Sequence, residues 1–408
     1  MISLEEAVAR VRGACDRLHP SAVALDDALG CVTSVPLTSD VAVPPFANTA
    51  MDGFAVRAAD TAGAPVTLRV VGDLPAGHDP AGLFVGEGEA VRIMTGAPIP
   101  DGADAVVMVE RTRVERDHGA GGEVVHVEVE VPVGNHVRAA GEDVVPGQEV
   151  FPAFTVLRPG HLGLLATLGM KRVPVFRRAR VGVLSTGDEL VDGPGELRPG
   201  QIRDANRHAL LGLVREAGCD GIDLGIVGDD VDAVRGAITD GISRCDALLT
   251  SGGVSMGDWD PVKVVLRDLG VDDDAAMQVA IKPAKPLAFT VVDGKPIFGL
   301  PGNPASSMVS FELFARPALL GMMGHQVVDR PRLTAIAVDG FDRQPDGKLH
   351  LVRVQLRFDP VEGRYRCRSA GGQGSNLLRS MAMADGFALV PDGDGIRAGD
   401  RVEVIDLR

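Results

Sequence analysis

The chain is short of aromatic side chains, of positive charge and of long apolar runs. It has one Trp and one Tyr in 408 residues, and 41 Lys and Arg against 56 Asp and Glu give a formal net charge of −15. Few rings leave few platforms for base stacking, and an acidic surface repels a phosphate backbone, so we expect no nucleic-acid partner. No uncharged apolar run approaches the roughly 18 to 20 residues that span a bilayer, which predicts a soluble protein that does not enter a membrane.

Cysteine is scarce as well. The five cysteines include no Cys-x-x-Cys pair, which argues against zinc ligation and predicts reduced thiols in a cytoplasmic protein. The first 18 residues carry charges throughout, so we expect an amphipathic helix there and not a signal peptide. The apolar side chains at helical spacing are Leu4, Val8, Val11 and Cys15.

Three kinds of pattern divide the chain. From about residue 53 to 138, short alternating strands predict an all-β module. Between residues 180 and 324, apolar strands alternate with helical stretches, which predicts a parallel sheet covered on both faces. After residue 325, short strands separated by Gly and Asp turns predict a small C-terminal β module.

The alternating region allows its elements to be placed. The first three strands are followed by helices, and a later pair forms a hairpin that turns through Asp293 and Gly294. The predicted strands are 181–184, 222–227, 246–250, 287–292 and 297–300, and the predicted helices are 206–217, 231–243, 261–269 and 305–320.

The most informative string occupies residues 250–260, Thr-Ser-Gly-Gly-Val-Ser-Met-Gly-Asp-Trp-Asp, between a strand and a helix. Gly252 and Gly253 would let successive main-chain N–H groups approach a phosphate or another oxyanion. Asp258 and Asp260 would repel that anion unless a divalent cation lay between them, which indicates Mg²⁺. An ordinary strand-to-helix turn with an Asp helix cap explains this string equally well when it is taken alone.

Acidic loops follow each of the first three strands of this region. They occupy residues 185–189, 228–230 and 250–260. The carboxyl ends of parallel strands meet at one edge of a sheet, where open α/β folds bind their ligands. For the second loop alone, a helix cap made by Asp229 or Asp230 is the better explanation. The three loops together, beside a glycine-rich turn, favour a site for a metal and a phosphate.

Two further strings add positive charge and hydroxyl groups. Lys282 and Lys285 are each followed by proline, which restricts the main chain and lets two ammonium groups face one anion at small entropic cost. Residues 300–307, Leu-Pro-Gly-Asn-Pro-Ala-Ser-Ser, open the last helix with a rigid turn and hydroxyls, a second place for an oxyanion. A solvated linker around the lysines, and plain helix capping by Asn303 or Ser306, are the alternatives.

The strings taken together resemble the molybdopterin molybdenumtransferases, the family of the MoeA proteins and the E domains of gephyrin. The resemblance covers nearly the whole chain in the family's order, and the alternating region separately resembles MogA-type molybdopterin-binding domains. The matching strings lie at residues 46–55, 94–100, 138–143, 185–190, 250–260, 281–286 and 300–307.

The resemblance implies a multi-domain α/β and β protein. It has a MogA-like doubly wound α/β domain, an inserted β domain, a discontinuous helical segment and a C-terminal β-barrel-like domain. Family members pair, which implies a homodimer, and other proteins of molybdenum cofactor synthesis are candidate partners. The implied boundaries are 1–46 plus 138–177 for the helical dimerisation segment, 47–137 for the inserted domain, 178–326 for the α/β domain and 327–408 for the barrel-like domain.

The implied reaction inserts molybdenum from molybdate into adenylylated molybdopterin, with Mg²⁺ as cofactor and release of AMP. Molybdate is a dianion that must approach a dithiolate, so fixed cations and N–H donors are needed beforehand. Lys282 and Lys285 match the family's paired lysines and are assigned to molybdate. Carboxylates among Glu189, Asp229 and Asp260 match its acidic positions and are assigned to Mg²⁺, which neutralises the phosphoanhydride as AMP leaves.

The resemblance implies further site residues. One group lies in the N-terminal half and is expected to serve the site of the partner subunit; its members are Asp52, Thr95, Arg138 and Asp143. The chemistry of the two glycine-containing strings predicts substrate-binding residues Ser251, Gly252, Gly253, Ser255, Pro301, Asn303 and Ser306, and the resemblance adds Arg353 and Ser380.

The chain departs from the family at Gln278, where many relatives have a basic residue. We expect weaker anion affinity without loss of chemistry, because both lysines are present. Two rival functions are a non-catalytic scaffold that binds a partner peptide and an ATP-using nucleotidyltransferase that adenylylates molybdopterin itself. AMP release that requires molybdate would favour the transferase, and ATP consumption without adenylylated substrate would favour the second rival.

Overall fold

A computed structural model describes residues 1–117, 122–252, 261–269 and 276–408. The chain forms two compact units, which are described separately. The first unit contains Met1–Val23, Asp27–Ser34 and Pro174–Arg408, and the second contains Ala24–Asp26 and Val35–Val173. No helix in these described ranges is long and apolar enough to cross a bilayer.

The helices are short and most of them belong to the first unit. A π-helical turn, Phe311–Ala315, joins α6 to α7, and 3₁₀ turns lie at Leu25–Asp27, Ala58–Thr61 and Val109–Arg111. The helices are α1 (Leu4–Gly13), α2 (Pro159–Thr167), α3 (Asn206–Glu216), α4 (Val231–Arg244), α5 (Pro261–Asp268), α6 (Pro304–Ser310), α7 (Arg316–Met322) and α8 (Leu378–Ala382).

The strands form several sheets. In chain order they are β1 (Pro20–Ala24), β2 (Val32–Thr33), β3 (Leu37–Thr38), β4 (Asn48–Thr49), β5 (Gly53–Val56), β6 (Val66–Leu74), β7 (Glu89–Ile93), β8 (Ala105–Met108), β9 (Thr112–Asp117), β10 (Gly122–Val127), β11 (Val137–Arg138), β12 (Glu149–Phe151), β13 (Arg172–Phe176), β14 (Arg180–Thr186), β15 (Leu190–Val191), β16 (Ile202–Arg203), β17 (Asp220–Val227), β18 (Ala247–Ser251), β19 (Ala276–Gln278), β20 (Ile281–Lys282), β21 (Pro286–Val292), β22 (Lys295–Leu300), β23 (Arg332–Ala337), β24 (Phe341–Asp342), β25 (Leu349–Asp359), β26 (Arg364–Ser369), β27 (Gly386–Val390), β28 (Gly395–Ile396) and β29 (Arg401–Asp406).

The sheet of the α/β region has six strands in the order β17-β14-β18-β22-β21-β19. The first four are parallel, and β21 and β19 run antiparallel to their neighbours. Asp293 and Gly294 have φ values of 52° and 73° and form the turn between β21 and β22. Two successive positive φ values are what a two-residue hairpin turn needs, so the Asp-Gly prediction is confirmed.

Helices cover both faces of this sheet because successive side chains of a strand point to opposite faces. Val183 and Leu249 belong to the core cluster that contains residues of α3 and α6. Leu184 and Leu248 belong to the cluster that contains residues of α4 and α5. The predicted doubly wound α/β domain is therefore confirmed.

Two helices at the edges of this region differ from expectation. The N-terminal helix ends at Gly13, before Cys15, because glycine is a poor helix former. The last helix is expected to be continuous over 305–320, but Phe311–Ala315 is a π-helical turn. Pro317 follows it; proline has no N–H to donate to Leu313 and its ring crowds that carbonyl, which favours a wider turn.

The C-terminal part of the first unit is a closed barrel. Its strands follow the order β25-β26-β23-β29-β27, and β27 pairs again with β25. The strand β20 adds to β25 outside the ring. The predicted β-barrel-like domain is confirmed, whereas the domain boundaries at residues 46, 137, 177 and 326 stay predictions.

The second unit contains a six-stranded sheet in the order β8-β5-β7-β6-β10-β9, which confirms the inserted β domain. The strand β5 is absent from the sequence prediction because all of its residues are buried and no polar alternation marks it. Glycine is required at Gly53, since a β-carbon there would collide with the carbonyl of Val107 on β8. Residues 118–121, at the predicted hairpin tip, lie outside the described residues.

The strands at the centre of the α/β sheet carry buried apolar side chains. Leu249 is fully buried in β18, so Leu249→Ala is expected to lower the free energy of unfolding of that unit by about 2 to 5 kcal/mol. Leu197→Ala is the matched control, because Leu197 is exposed, and should change it by less than about 0.5 kcal/mol. Urea unfolding followed by circular dichroism measures both; equal effects would contradict this packing.

Candidate functional site

Four parallel strands end side by side at one edge of the α/β sheet. The register pairs Thr186 with Val227, Ser185 with Ser251, and Ser251 with Leu300. Chain order reverses between β14 and β18, and doubly wound sheets bind ligands outside the carboxyl ends of strands at such a point. The prediction that the loops after β14, β17 and β18 begin at the same edge is confirmed.

The loops after β14 and β17 hold each other through acidic residues. The N–H of Asp229 donates to Oδ1 of Asp188 at 3.1 Å, and the N–H of Asp188 donates to Oδ2 of Asp229 at 3.4 Å. The N–H of Gly187 donates to the carbonyl of Val227 at 3.0 Å. Sequence reasoning selected Glu189 and passed over Asp188, because only the register of β14 with β17 places Asp188 against Asp229. Glu189 is exposed.

This pair of loops has donor chemistry that fits a magnesium ion. Each aspartate accepts one N–H with one carboxylate oxygen and keeps the other oxygen, and Mg²⁺ prefers oxygen ligands. Among the residues that the structure describes, no group of three His, Cys, Asp or Glu side chains forms a metal site. Several predicted residues of the glycine-rich string, namely Gly253, Ser255, Asp258 and Asp260, lie outside the described residues.

The turn at Gly252 is one that only glycine fits. Its φ is +96°, a conformation that side chains disfavour. A β-carbon at Gly252 would lie 2.6 Å from the carbonyl oxygen of Thr186 and 2.9 Å from its Oγ1. The N–H of Gly252 donates to the carbonyl of Leu300 at 3.2 Å. Ser251, the predicted contact before it, is buried at the end of β18.

The loop after β22 approaches the same turn. A β-carbon placed on Gly302 would lie 3.8 Å from Cα of Gly252. The side-chain amide of Asn206, at the start of α3, donates to the carbonyl of Gly302 at 2.7 Å. Asn303 precedes α6, but its side chain makes no capping hydrogen bond. Side-chain capping therefore does not explain Asn303, one of the predicted contacts.

Several buried polar atoms near these strand ends have no hydrogen-bond partner among the described residues. They are Oγ1 of Thr186, Oγ1 of Thr250, Oδ1 of Asn206 and Oγ of Ser307. The predicted contacts Pro301 and Ser306 are buried in the same stretch as Ser307. A buried polar atom without a partner costs free energy, so their concentration here fits a polar ligand.

Lys282 lies on β20, opposite His350 of β25. It lines an open cavity of about 790 Å³ together with His350 and Gln373. Lys285 is half-buried, and its carbonyl accepts the N–H of Val279 at 2.8 Å. Between the lysines, Ala284 is buried with a φ of 74°, a left-handed conformation that is uncommon outside glycine. The restriction of the main chain that the prolines predict, and its effect on anion binding, stay predictions.

Arg353 is fully buried and holds the loop 371–375. Its guanidinium donates to Oε1 of Gln373 at 3.2 Å and to the carbonyls of Gly374 and Gly372 at 3.1 and 3.2 Å. Burial lowers the pKa of Arg353. Every guanidinium nitrogen of Arg353 thus has a partner within this loop, and its contact with an anion stays a prediction.

The same loop joins the cavity to the start of α6. The carbonyl of Ser375 accepts the N–H of Ala305 at 3.1 Å. Ser380, another predicted anion contact, is buried, and its hydroxyl donates to the carbonyl of Leu377 at 2.9 Å. The cavity that Lys282 lines and the turn after β22 are therefore connected through one loop of the barrel.

The second unit brings Asp52 and Thr95 together at its surface. The N–H and the hydroxyl of Thr95 donate to Oδ1 of Asp52 at 2.6 and 2.7 Å. Both donors lower the pKa of Asp52 below its ordinary value, and the main-chain N–H has the larger effect. The other two predicted residues of this unit, Arg138 and Asp143, are exposed. Arg138 lies on β11, opposite Asn48 of β4.

The low pKa of Asp52 can be tested by titration. We expect wild-type Asp52 to titrate below the ordinary value of about 3.9, and Thr95→Val, which removes only the hydroxyl donor, to raise its pKa partway. A depressed pKa contributes stability above the ordinary value, and that contribution is lost as the pH falls through the depressed value. Carbon-13 NMR of the carboxyl group measures the pKa of Asp52 in the wild-type protein and in Thr95→Val, and the Asp52→Asn variant assigns the signal. An ordinary pKa in the wild-type protein would contradict the contact.

Three family models match the chain in succession. They are the MoeA N-terminal region (domain I and II) at residues 2–169, the "Probable molybdopterin binding domain" at residues 182–321, and the MoeA C-terminal region (domain IV) at residues 341–407.

Full-length relatives agree with these matches. The chain is 39% identical to Molybdopterin molybdenumtransferase 2 of Mycobacterium tuberculosis, over 99% of this chain and 98% of that protein. It is 34% identical to the Molybdopterin molybdenumtransferase of Bacillus subtilis, over 100% of this chain and 94% of that protein. A crystal structure of a molybdopterin biosynthesis MoeA protein from Pyrococcus horikoshii superposes with a TM-score of 0.81 at 31% identity, covering 100% of this chain and 99% of that one. The chain therefore belongs to the MoeA family of molybdopterin molybdenumtransferases.

Proposed function

We propose that this protein inserts molybdenum from molybdate into adenylylated molybdopterin and releases AMP, as a transferase of molybdenum cofactor biosynthesis. Family membership over the full chain supports this reaction class. The observation that carries the proposal is the sheet edge where Gly252, held against Thr186 and Leu300, adjoins the interlocked Asp188 and Asp229. The glycine-rich string that starts at Gly252 and two loops suited to a cation therefore begin at the same row of strand ends.

The anionic substrates need local positive charge on an acidic protein. Molybdate and the dithiolate repel each other, and preorganised cations and N–H donors offset that repulsion. We assign Lys282 and Lys285 to molybdate, with Ser251, Ser255 or Ser306 as hydroxyl donors. The cavity of about 790 Å³ beside Lys282 is large enough for a small substrate.

Carboxylates at the sheet edge form the cation side of the proposed site. Asp188 and Asp229 each keep one carboxylate oxygen for Mg²⁺, and we add Asp188 to the proposed ligands Glu189, Asp229 and Asp260. Bound Mg²⁺ supplies neutralising charge to the phosphoanhydride. The protein's own part is to hold these carboxylates at the strand ends beside Gly252, where the glycine-rich string begins.

The residues of the second unit are proposed to complete the site of a partner subunit in a homodimer. Asp52 and Thr95 are exposed, and so are the apolar side chains of their neighbours Met51 and Met94. Val109, whose N–H donates to the carbonyl of Asp52 at 3.1 Å, is exposed as well. Exposed apolar groups around a polar pair are typical of a surface that another chain covers. Arg138 and Asp143, also exposed, are assigned to the same role, and the protein is proposed to act in the cytoplasm with other cofactor-synthesis proteins.

The proposed reaction has a direct assay. Purified protein with adenylylated molybdopterin should release AMP only when both Mg²⁺ and molybdate are present, as measured by chromatography. Lys282→Met should lower that rate roughly 100-fold, because one preorganised charge is lost, whereas Lys171→Met, at an exposed lysine, should not. AMP release that ignores molybdate would refute the proposal, and ATP consumption without adenylylated substrate would favour a nucleotidyltransferase.

The place of Asp188 in the cation site can be tested separately. Asp188→Asn should raise the Mg²⁺ concentration for half-maximal AMP release by about tenfold or more, because a charged ligand becomes neutral. Asp230→Asn is the matched control, since Asp230 caps α4 by accepting the N–H of Ala233 at 2.8 Å and Asn caps helices equally well. Equal Mg²⁺ dependence in the two variants would remove Asp188 from the site.

A further inference from the structure

Arg207 lies at the centre of an ionic cluster beside the acidic edge of the sheet. Its side chain is 5% exposed, and each of its three nitrogens contacts a different carboxylate. Nε donates to Asp204 at 3.0 Å, one terminal nitrogen donates to Asp192 at 2.5 Å, and the other donates to Asp223. Burial alone would lower the pKa of Arg207, but the three carboxylates outweigh it and raise that pKa.

Two of the three carboxylates belong to the loop 187–204, which carries Asp188 and Glu189. Asp192 directly follows β15, and Asp204 directly follows β16. These strands pair with each other: the N–H of Ile202 donates to the carbonyl of Glu189 at 2.8 Å, and the N–H of Asp204 donates to that of Val191 at 3.0 Å. Arg207 thus ties the carboxyl ends of both short strands to α3.

The cluster also reaches the strand from which the loop departs. The hydroxyl of Ser185, near the end of β14, donates to Oδ1 of Asp204 at 3.1 Å. The same Oδ1 accepts the N–H of Arg207 at 3.1 Å. Because Asp204 is 1% exposed on its side chain, it requires a cation partner in place. Both ends of the loop are therefore anchored on one buried ion pair.

The third carboxylate offers an internal comparison. Asp223 lies on β17 and not on the loop. Its side chain is 46% exposed, close to the 55% of Asp192. Either residue can lose its carboxylate without leaving Arg207 unpaired, because Asp204 remains. Loss of the Asp192 carboxylate removes one of the two contacts between Arg207 and the loop, whereas loss of the Asp223 carboxylate removes neither. Asp192 also accepts the N–H of Gly193 at 2.9 Å and lies 3.3 Å from Nε2 of His208.

We propose that Arg207 is a positioning residue, which holds the loop 187–204 in the conformation that presents Asp188 and Glu189 to the cation side of the site. This inference rests on the proposed function for its effect on the reaction. The ordering of the loop itself does not depend on that function. Arg207 touches neither substrate nor cation in this role and acts through Asp192 and Asp204.

The test compares Asp192→Ala with Asp223→Ala in the full-length protein. Hydrogen–deuterium exchange of amides 187–204 should become about tenfold faster in Asp192→Ala and stay within about twofold of wild type in Asp223→Ala, because hydrogen bonds to charged groups contribute most. The Mg²⁺ concentration for half-maximal AMP release should rise about tenfold in Asp192→Ala only, with kcat at saturating Mg²⁺ little changed. Asp192→Glu, which keeps the carboxylate, should restore both.

Equal effects of the two substitutions, or no effect of Asp192→Ala on exchange, would overturn the positioning role. A fall in kcat without a change in Mg²⁺ dependence would also overturn it, because general loss of structure does that. Arg207→Met is unsuitable alone, since it leaves Asp204 buried and unpaired. If wild-type protein releases no AMP, the proposed function fails, and the exchange comparison still decides whether Asp192 orders the loop.

Discussion

Parallel alignment of β14, β17, β18 and β22 determines where the loops of the candidate site begin. Their hydrogen-bond register brings four strand ends to one edge of the sheet. Each loop that follows one of these strands therefore begins at that edge. Asp188 meets Asp229 because β14 lies beside β17. Gly252 must be glycine because β18 lies so close to the end of β14 that a β-carbon would strike Thr186. The chemistry of the site is therefore a consequence of sheet geometry.

The negatively and positively charged side chains of the candidate site lie in different parts of the fold. The carboxylates come from loops of the α/β sheet, whereas Lys282 comes from β20, which pairs with the barrel. The loop 371–375 connects them, since Arg353 holds it from inside the barrel and Ser375 bonds to the start of α6. For a chain with a net charge of −15, the proposed binding of a dianion requires cations that are placed locally. Arg207 lies beside this acidic loop and contacts three carboxylates, two of them in the loop.

Elements with a clear period or a specific turn were predictable from the sequence, as the strands of the α/β sheet and the Asp293–Gly294 hairpin illustrate. The strand β5 was not, because it is buried throughout, and the π-helical turn was not, because it preserves the apolar pattern of a helix. In the candidate site, local chemistry selected Gly252 and the paired lysines, whose roles stay predictions. It could not separate Asp188 from Glu189, since Asp188 and Asp229 are 41 residues apart and only the sheet register joins them. The three carboxylates around Arg207 were missed for the same reason.

Crystals grown with molybdate and with Mn²⁺ in place of Mg²⁺ provide the decisive test. Anomalous diffraction from them locates both ions and shows whether they bind in one cavity. We expect a molybdenum peak beside Lys282 or Lys285 and a manganese peak at the carboxylates of Asp188 and Asp229. A manganese peak away from the strand ends, or a molybdenum peak remote from both lysines, would contradict a site built on the edge of this sheet.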